Sequence, residues 1–224
     1  PKPSSAASDV YKRQLCNRRA VRAIYCMPTL HNPLGWVMDR GARRQLIAIA
    51  RRHGLLMIED ASYAYLADNP PPPLAALAPD VTVYVSGLSK NVATGIRVGF
   101  VVAPVSRMTA IERTIRATTW NTPAITTAIA SQWLQDGTVT RLEAQKRRDA
   151  AARQSIARRV LAPLHHIAHP SSYFTWIPLP PGARADRIAT ALEHAGISVS
   201  TAEPFSTTTD TPQALRLALG STSL

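Results

Sequence analysis

Four polar clusters adjoin predicted strands and carry side chains that can do chemistry together. The clusters are Asn32, Asp60 with Tyr63, residues 86–90, and Arg97. In open α/β sheets, ligands bind at the edge where the carboxyl ends of the strands meet. An amide, a carboxylate, a phenol, an amine and a guanidinium that converge at this edge could hold an aromatic cofactor with a phosphate group.

Lysine is scarce in this basic chain, which draws attention to Lys90. The sequence contains 26 lysines and arginines, and outside residues 1–14 the only lysines are Lys90 and Lys146. An amine can lose its proton and condense with a carbonyl, whereas a guanidinium cannot. The composition therefore favours Lys90, which lies between a strand and a glycine-containing turn, as a nucleophilic amine.

An alternation of strands and helices must position these side chains. Apolar runs predict strands at residues 21–26, 55–58, 81–85 and 98–103. Asp39 can cap a helix that continues to about His53, and Gly54 can end it. Buried strands alternating with helices in this way predict an α/β fold.

The connection between the third and fourth predicted strands is short. It contains about a dozen residues with Gly95 among them, and it shows no helical pattern. A parallel crossover usually needs a helix at this point. The fourth strand is therefore predicted to be antiparallel, so that it begins at the edge where the other strands end.

Beyond Pro104 the sequence predicts helices, and after the last long helix it predicts a mixture of strands and a helix. A long amphipathic helix is predicted at residues 138–161, followed by strands at 172–179, 197–201 and 215–219 and a helix near 185–195. We expect residues 1–14 to be a leader or linker, 15–137 to belong to a large domain, and 138–224 to form the bridging helix and a small α+β domain.

Composition excludes several classes of protein. Apolar residues make up 46% of the chain and charged residues 18%, which argues against disorder and coiled coil. A long uncharged stretch, 117–135, contains several polar residues and Pro123, so no membrane span is predicted there. Cys16 and Cys26 form neither a metal-binding pattern nor a disulfide framework, and a reducing cytoplasm is expected.

The net charge of +12 raises the possibility of nucleic-acid binding. However, the arginines are scattered along amphipathic segments, for example at Arg40, Arg43 and Arg44. This distribution favours solvated helix faces over a nucleic-acid surface, which stays an alternative.

Four short motifs occur in an order that resembles the fold type I pyridoxal phosphate enzymes, specifically the class I/II aminotransferases. They are HNPLG at 31–35, IEDASY at 58–63, GLSK at 87–90 followed by GIRVG at 95–99, and LRL at 215–217. The spacing from Lys90 to Arg97 and the segment YFTW at 173–176 are most similar to the aminotransferase-type domain of MocR/GntR regulators and their free-standing relatives. The resemblance implies a large domain with a mostly parallel sheet and helices on both faces, followed by a small α+β domain.

The resemblance also implies roles for the polar clusters. Lys90 would bind pyridoxal 5'-phosphate as a Schiff base and shuttle a proton, while Asp60 would keep the pyridine nitrogen protonated. Asn32 and Tyr63 would contact the ring oxygen. Arg97, with Ser86 or Ser89, would bind the phosphate, and Arg216, together with Asn32, would bind the substrate carboxylate. The reaction would transfer an amino group from an amino acid to a 2-oxo acid, with no metal.

Two departures from the family's pattern bear on the cofactor site. Nothing before Val21 resembles the upstream half of the family, so we expect a fragment that binds the cofactor poorly, from a protein that is a homodimer at full length. Gly87 stands where many relatives place a phosphate-binding serine. The second hypothesis is the ligand-sensing half of a transcription regulator, which would bind nucleic acid only through a DNA-binding domain upstream.

Each candidate residue also has a simpler interpretation. Lys90 and Arg97 could be solvated charges, Asp60 a helix cap, Tyr63 a core residue, Asn32 a turn former before Pro33, and Arg216 a sheet-surface arginine.

Overall fold

The computed structural model describes Gln14, Cys16 and residues 20–220. The predicted leader, 1–14, lies outside the described residues except for Gln14. The chain divides into two compact units, of which the first contains the described residues up to Thr29 and Val37–Glu143. The second unit contains Leu30–Trp36 and the chain from Ala144 onward. The domain limits 15–137 and 138–224 stay predictions.

The first unit contains a four-stranded sheet. Its strands are β1 (Ala23–Cys26), β2 (Leu56–Asp60), β3 (Thr82–Gly87) and β4 (Gly99–Val102), and they lie in sequence order. Strands β1, β2 and β3 are parallel, and β4 is antiparallel to β3. The antiparallel fourth strand, predicted from the short connection before it, is confirmed, and so is the α/β class.

Helix α1 (Arg40–Arg52) has the ends that the sequence predicts. The Asp39 carboxylate accepts a hydrogen bond from the Ala42 amide over 2.8 Å, and Gly54 follows the helix with a φ of 62°. Such a cap satisfies one of the amides that a helix start leaves without a partner. The apolar face of α1 packs on β2 through a core that includes Leu46, Ala50 and Met57.

Arg43 contradicts the prediction of a solvated arginine face on α1. Its side chain is fully buried. The guanidinium donates hydrogen bonds to the carbonyls of Pro28, Met38 and Pro72 and to the Thr29 hydroxyl. The prediction was wrong for this residue because two connecting segments, 27–39 and 67–73, converge on it and supply acceptors that replace water.

The connection between β3 and β4 is partly helical, contrary to the prediction. It contains α3 (Leu88–Asn91) and a 3₁₀ turn (Thr94–Ile96). A single helical turn is too short to display a 3.6-residue period, which explains why the sequence pattern missed it. Another one-turn helix, α2 (Leu74–Leu77), and a 3₁₀ turn (Ala64–Leu66) precede β3.

Three helices follow β4, in the region beyond Pro104 that was predicted to be helical. They are α4 (Val105–Thr118), α5 (Ala124–Gln135) and α6 (Thr138–Val160). Helix α6 matches the predicted segment 138–161 to within one residue. None of the described helices is both long and apolar enough to cross a membrane.

The second unit contains a three-stranded antiparallel sheet in the order β5-β7-β6. Its elements are β5 (Phe174–Pro178), α7 (Ala185–His194), β6 (Ser200–Thr201), a 3₁₀ turn (Glu203–Phe205) and β7 (Ala214–Ala218). The predicted strand 197–201 is too long, because the Ile197 amide donates to Leu192 O over 2.8 Å and so completes the end of α7. The small α+β unit itself is as predicted.

Candidate active site

Lys90 lies on the one-turn helix α3, and its surroundings hold the backbone in place. The Tyr65 hydroxyl donates to the carbonyl oxygen of Lys90 over 2.9 Å. The next residue, Asn91, is buried and donates from Nδ2 to Glu143 Oε1 over 2.7 Å. The Lys90 Nζ atom lies 5.9 Å from the centroid of the Tyr63 ring. The structure thus places the predicted pair Lys90 and Tyr63 close together.

Asp60 is the last residue of β2, and both of its carboxylate oxygens accept hydrogen bonds. Oδ1 accepts from the amide and the hydroxyl of Ser62, at 2.9 and 2.6 Å. Oδ2 accepts from the Tyr25 hydroxyl at 2.6 Å. The carboxylate is therefore anchored on both sides.

An open cavity of about 230 Å³ lies beside α3 in the first unit. It is lined by Ser62, Ser86, Gly87, Ser89, Lys90, Arg97, Val98 and Gly99. Hence the structure brings together four residues that the sequence singled out: two hydroxyls, one amine and one guanidinium. The hydroxyls and the guanidinium can donate hydrogen bonds to a phosphate, and the amine can react with a carbonyl group next to it.

Arg97 enters this cavity from an uncommon backbone conformation. Its φ of 53° and ψ of 32° place it in the left-handed region, two residues before β4 begins. Non-glycine residues seldom adopt this conformation, and such outliers concentrate at functional sites.

Position 87 requires a glycine for a steric reason. A Cβ atom at this position would lie 2.9 Å from the carbonyl oxygen of Val98, the residue directly before the neighbouring strand β4. Because β3 and β4 approach so closely, a serine does not fit without a backbone shift. Ser86 and Ser89 flank this glycine and supply hydroxyls to the same cavity.

Asn32 and Arg216 meet in the second unit. Arg216 Nε donates to Asn32 Oδ1 over 2.9 Å. The centre of the guanidinium lies 4.9 Å from the ring of Phe174 and 5.7 Å from the ring of Phe205. Phe205 in turn packs edge-on against Trp176. The guanidinium is thus held by an amide and two aromatic rings.

The predicted site residues form two groups, one in each unit. Asp60, Tyr63, Ser86, Ser89, Lys90 and Arg97 belong to the first unit, and Asn32 and Arg216 to the second. The convergence of Asn32 with the first group stays a prediction.

Sequence reasoning missed three polar residues that contact this site: Tyr25, Ser62 and Tyr65. A signal for Tyr25 existed in the strand register. Tyr25 pairs with Ile58, and Asp60 follows Ile58 by two residues, so their side chains share a face of the sheet. Burial and the hydrogen bond to Asp60 raise the pKa of Tyr25, which keeps its hydroxyl a donor.

The family model for aminotransferase class I and II matches residues 11–223. The chain therefore belongs to the class I and II aminotransferase family, and the resemblance stated from the motifs is confirmed.

Among curated proteins, the uncharacterized HTH-type transcriptional regulator YdeF of Bacillus subtilis is 27% identical over 85% of this chain and 41% of its own length. The 2-aminoadipate transaminase of Thermus thermophilus is 25% identical over 77% of this chain and 46% of its own length. The chain spans less than half the length of either relative.

Solved structures agree on the fold. An archaeal alanine:glyoxylate aminotransferase has a TM-score of 0.84 and 25% identity, over 96% of this chain and 56% of that structure. The kynurenine aminotransferase of Pyrococcus horikoshii, solved in complex with PMP, has a TM-score of 0.89 over the same shares. At 21% identity the second likeness shows the fold alone.

Proposed function

We propose that the protein is a pyridoxal phosphate-dependent aminotransferase that moves an amino group between an amino acid and a 2-oxo acid. One observation carries the proposal: the amine of Lys90 lines the same cavity as Ser86, Ser89 and Arg97. When bound, pyridoxal phosphate supplies an aldehyde that condenses with amines and a ring that withdraws electrons from the substrate.

The residues present fit this cofactor. Arg97, Ser86 and Ser89 offer a guanidinium and hydroxyls to a phosphate, and Lys90 offers a primary amine in the same cavity. Asp60, which is held by Ser62 on one side, offers a carboxylate to a pyridine N–H. Ser62 also lines the cavity, so the carboxylate anchor and the phosphate-binding donors are neighbours.

Lys90 is the residue that moves protons in this proposal. Its Nζ removes the proton from Cα of the amino acid and later returns a proton during product formation. The hydrogen bond from Tyr65 to the Lys90 carbonyl and the buried Asn91 next to it limit backbone movement. The side chain can then swing while its point of attachment stays fixed.

Asp60 and Tyr63 stabilise charges on the cofactor ring in this proposal. The carboxylate of Asp60 favours a protonated ring nitrogen, because an opposite charge stabilises the cation. Tyr63 lies close to the Lys90 amine and donates to the ring oxygen in this proposal. Both residues make the proton at Cα easier to remove.

Arg216 and Asn32 bind the substrate carboxylate in this proposal. A planar guanidinium recognises a carboxylate through paired N–H donors. Asn32 and the rings of Phe174 and Phe205 orient the guanidinium before any ligand arrives. Preorganisation of this kind lowers the entropy lost on binding.

We also propose that the whole protein is a homodimer, as the family resemblance implies, and that it is located in the cytoplasm. The cysteines Cys16 and Cys26 are free, which suits a reducing compartment.

The decisive test compares two lysine variants of the full-length protein. Lys90→Ala should abolish the visible absorbance band that pyridoxal phosphate gives when linked to a lysine amine. Lys146→Ala is the matched control and should keep the band, since Lys146 belongs to the other unit. A band that survives in Lys90→Ala contradicts the assignment.

A second candidate function is ligand sensing in a transcription regulator. The similarity to the HTH-type regulators YdeF and YisV, at 27% and 28% identity, favours it. In that case the same site binds pyridoxal phosphate and an amino acid, but ligand binding changes DNA affinity instead of leading to turnover. Amino-group transfer to an added 2-oxo acid, measured with the purified full-length protein, separates the two functions.

A further inference from the structure

Tyr25 contacts Asp60 from the neighbouring strand. The Tyr25 hydroxyl donates to Asp60 Oδ2 over 2.6 Å, a length typical of hydrogen bonds to a charged oxygen. Strand register puts both side chains on the same face of the sheet. The residue is 62% exposed, so packing of its ring does not explain where the hydroxyl points.

The hydrogen bonds of Asp60 can be counted. An ionised carboxylate has about four acceptor positions, two on each oxygen. The amide and hydroxyl of Ser62 occupy Oδ1, and the Tyr25 hydroxyl occupies one position on Oδ2. Within the part of the chain that the structure describes, one position on Oδ2 is left to accept another donor.

Ser62 and Tyr25 together fix the orientation of the Asp60 carboxylate. The terminal torsion of an aspartate is broad, so a carboxylate held at one oxygen alone can rotate. Ser62 holds Oδ1 from within the chain segment after β2, whereas Tyr25 holds Oδ2 from β1. With both in place, the direction of the remaining acceptor position is defined.

We propose that Tyr25 is a positioning residue, which orients Asp60 so that the remaining acceptor position on Oδ2 receives the N–H of a pyridinium ring. The inference rests on the proposed function, since it names the ligand atom that Asp60 meets. Tyr25 itself touches neither the substrate nor the reacting atoms. Its effect passes through Asp60.

The first test needs no cofactor. In the cofactor-free full-length protein, the ionisation of Tyr25 is followed by tyrosinate absorbance, and its contribution is identified by its loss in Tyr25→Phe. Because the contact with Asp60 raises the pKa of Tyr25, Asp60→Asn should allow the tyrosine to ionise at lower pH. An ionisation that Asp60→Asn leaves unchanged overturns the inference.

The second test is a double-mutant cycle on pyridoxal phosphate affinity. Tyr25→Phe should weaken binding about tenfold, as expected for loss of one hydrogen bond to a charged group. In an Asp60→Asn background the same change should have no further effect, because the residue that Tyr25 positions is no longer a carboxylate. Equal losses in both backgrounds overturn the inference, because they indicate a general structural effect.

Tyr173→Phe is the matched control. It also removes a tyrosine hydroxyl, one that donates to the carbonyl oxygen of Lys146 in the second unit. Its affinity for pyridoxal phosphate should equal that of the wild type. If the wild type itself fails to bind the cofactor, the proposed function fails and the positioning role with it, while the tyrosine ionisation still reports the Tyr25–Asp60 contact.

Discussion

Arg216 and Asn32 are 184 residues apart in the sequence, yet a hydrogen bond of 2.9 Å joins their side chains. The bond connects strand β7 to the turn that contains Asn32, and both belong to one unit. Because Asn32 fixes one edge of the guanidinium and two aromatic rings flank it, the orientation of Arg216 does not depend on a ligand.

Replacing Arg216 by lysine keeps the charge but loses the planar fork and the contacts with the rings. We expect Arg216→Lys to lower kcat/KM for the amino acid by roughly tenfold to a hundredfold. Steady-state kinetics measure the change. Arg184→Lys is the control, because Arg184 makes an exposed ion pair with Asp186. An unchanged kcat/KM in Arg216→Lys argues against carboxylate binding by this residue.

Removing the Asp60 carboxylate should separate cofactor attachment from proton removal. We expect Asp60→Ala to keep the absorbance band of the lysine-linked cofactor, because Lys90 is unaltered. Removal of the Cα proton should slow by about a hundredfold, since the charge that stabilises the protonated ring nitrogen is gone. Exchange of the Cα proton for deuterium measures this rate, and the exposed Asp68→Ala serves as control. Equal exchange rates in the two variants contradict the proposed role.

Gly87→Ser tests whether the close approach of β3 and β4 excludes a side chain. A Cβ atom would meet the Val98 carbonyl oxygen at 2.9 Å, so we expect a loss of about 1–3 kcal/mol in the free energy of unfolding. Gly95→Ser is the matched control, because a Cβ atom there meets nothing within 4 Å. Urea unfolding measures both variants. A Gly87→Ser variant as stable as the wild type shows that the strands can adjust.

Arg43 and Glu59 form a buried ion pair, in which the Arg43 Nη1 and Glu59 Oε1 atoms are 3.7 Å apart. We expect the loss of this pair to lower the free energy of unfolding substantially. Arg43→Met leaves the Glu59 carboxylate in the core without its cation, and should cost roughly 3–5 kcal/mol in the free energy of unfolding. Arg51→Met removes an exposed arginine paired with Asp80 and should lower the free energy of unfolding far less, because solvent screens an exposed ion pair. Equal losses in the two variants contradict the importance of burial.

The Arg43→Met loss should also depend on pH. Burial raises the pKa of Glu59, and Arg43 opposes the rise. Without Arg43 the folded protein holds the Glu59 proton to higher pH than the unfolded chain does. The difference in stability between wild type and variant should therefore be smallest at acidic pH and should grow as the pH rises.

Local signals predicted the elements that depend on local interactions. Asp39 and Gly54 marked both ends of α1, because caps and left-handed glycines act within one turn of the chain. The antiparallel β4 followed from the length of the connection before it. The opposite case occurs at the strand predicted at 197–201, which was too long, and at helix α3, which was not predicted. A few residues carry too little periodicity to distinguish a helical turn from a strand or a loop.

The family, the α/β class and the residues most suited to the chemistry could be predicted from the sequence, because Lys90, Asp60 and Arg97 lie in motifs that can be recognised without a structure. The side chains that support these residues became clear only from the fold. Arg43 is buried because two connecting segments meet on it, and Tyr25 reaches Asp60 because two parallel strands pair in the register that brings them together. These partners lie far apart in the sequence, and local sequence patterns do not predict contacts between distant segments.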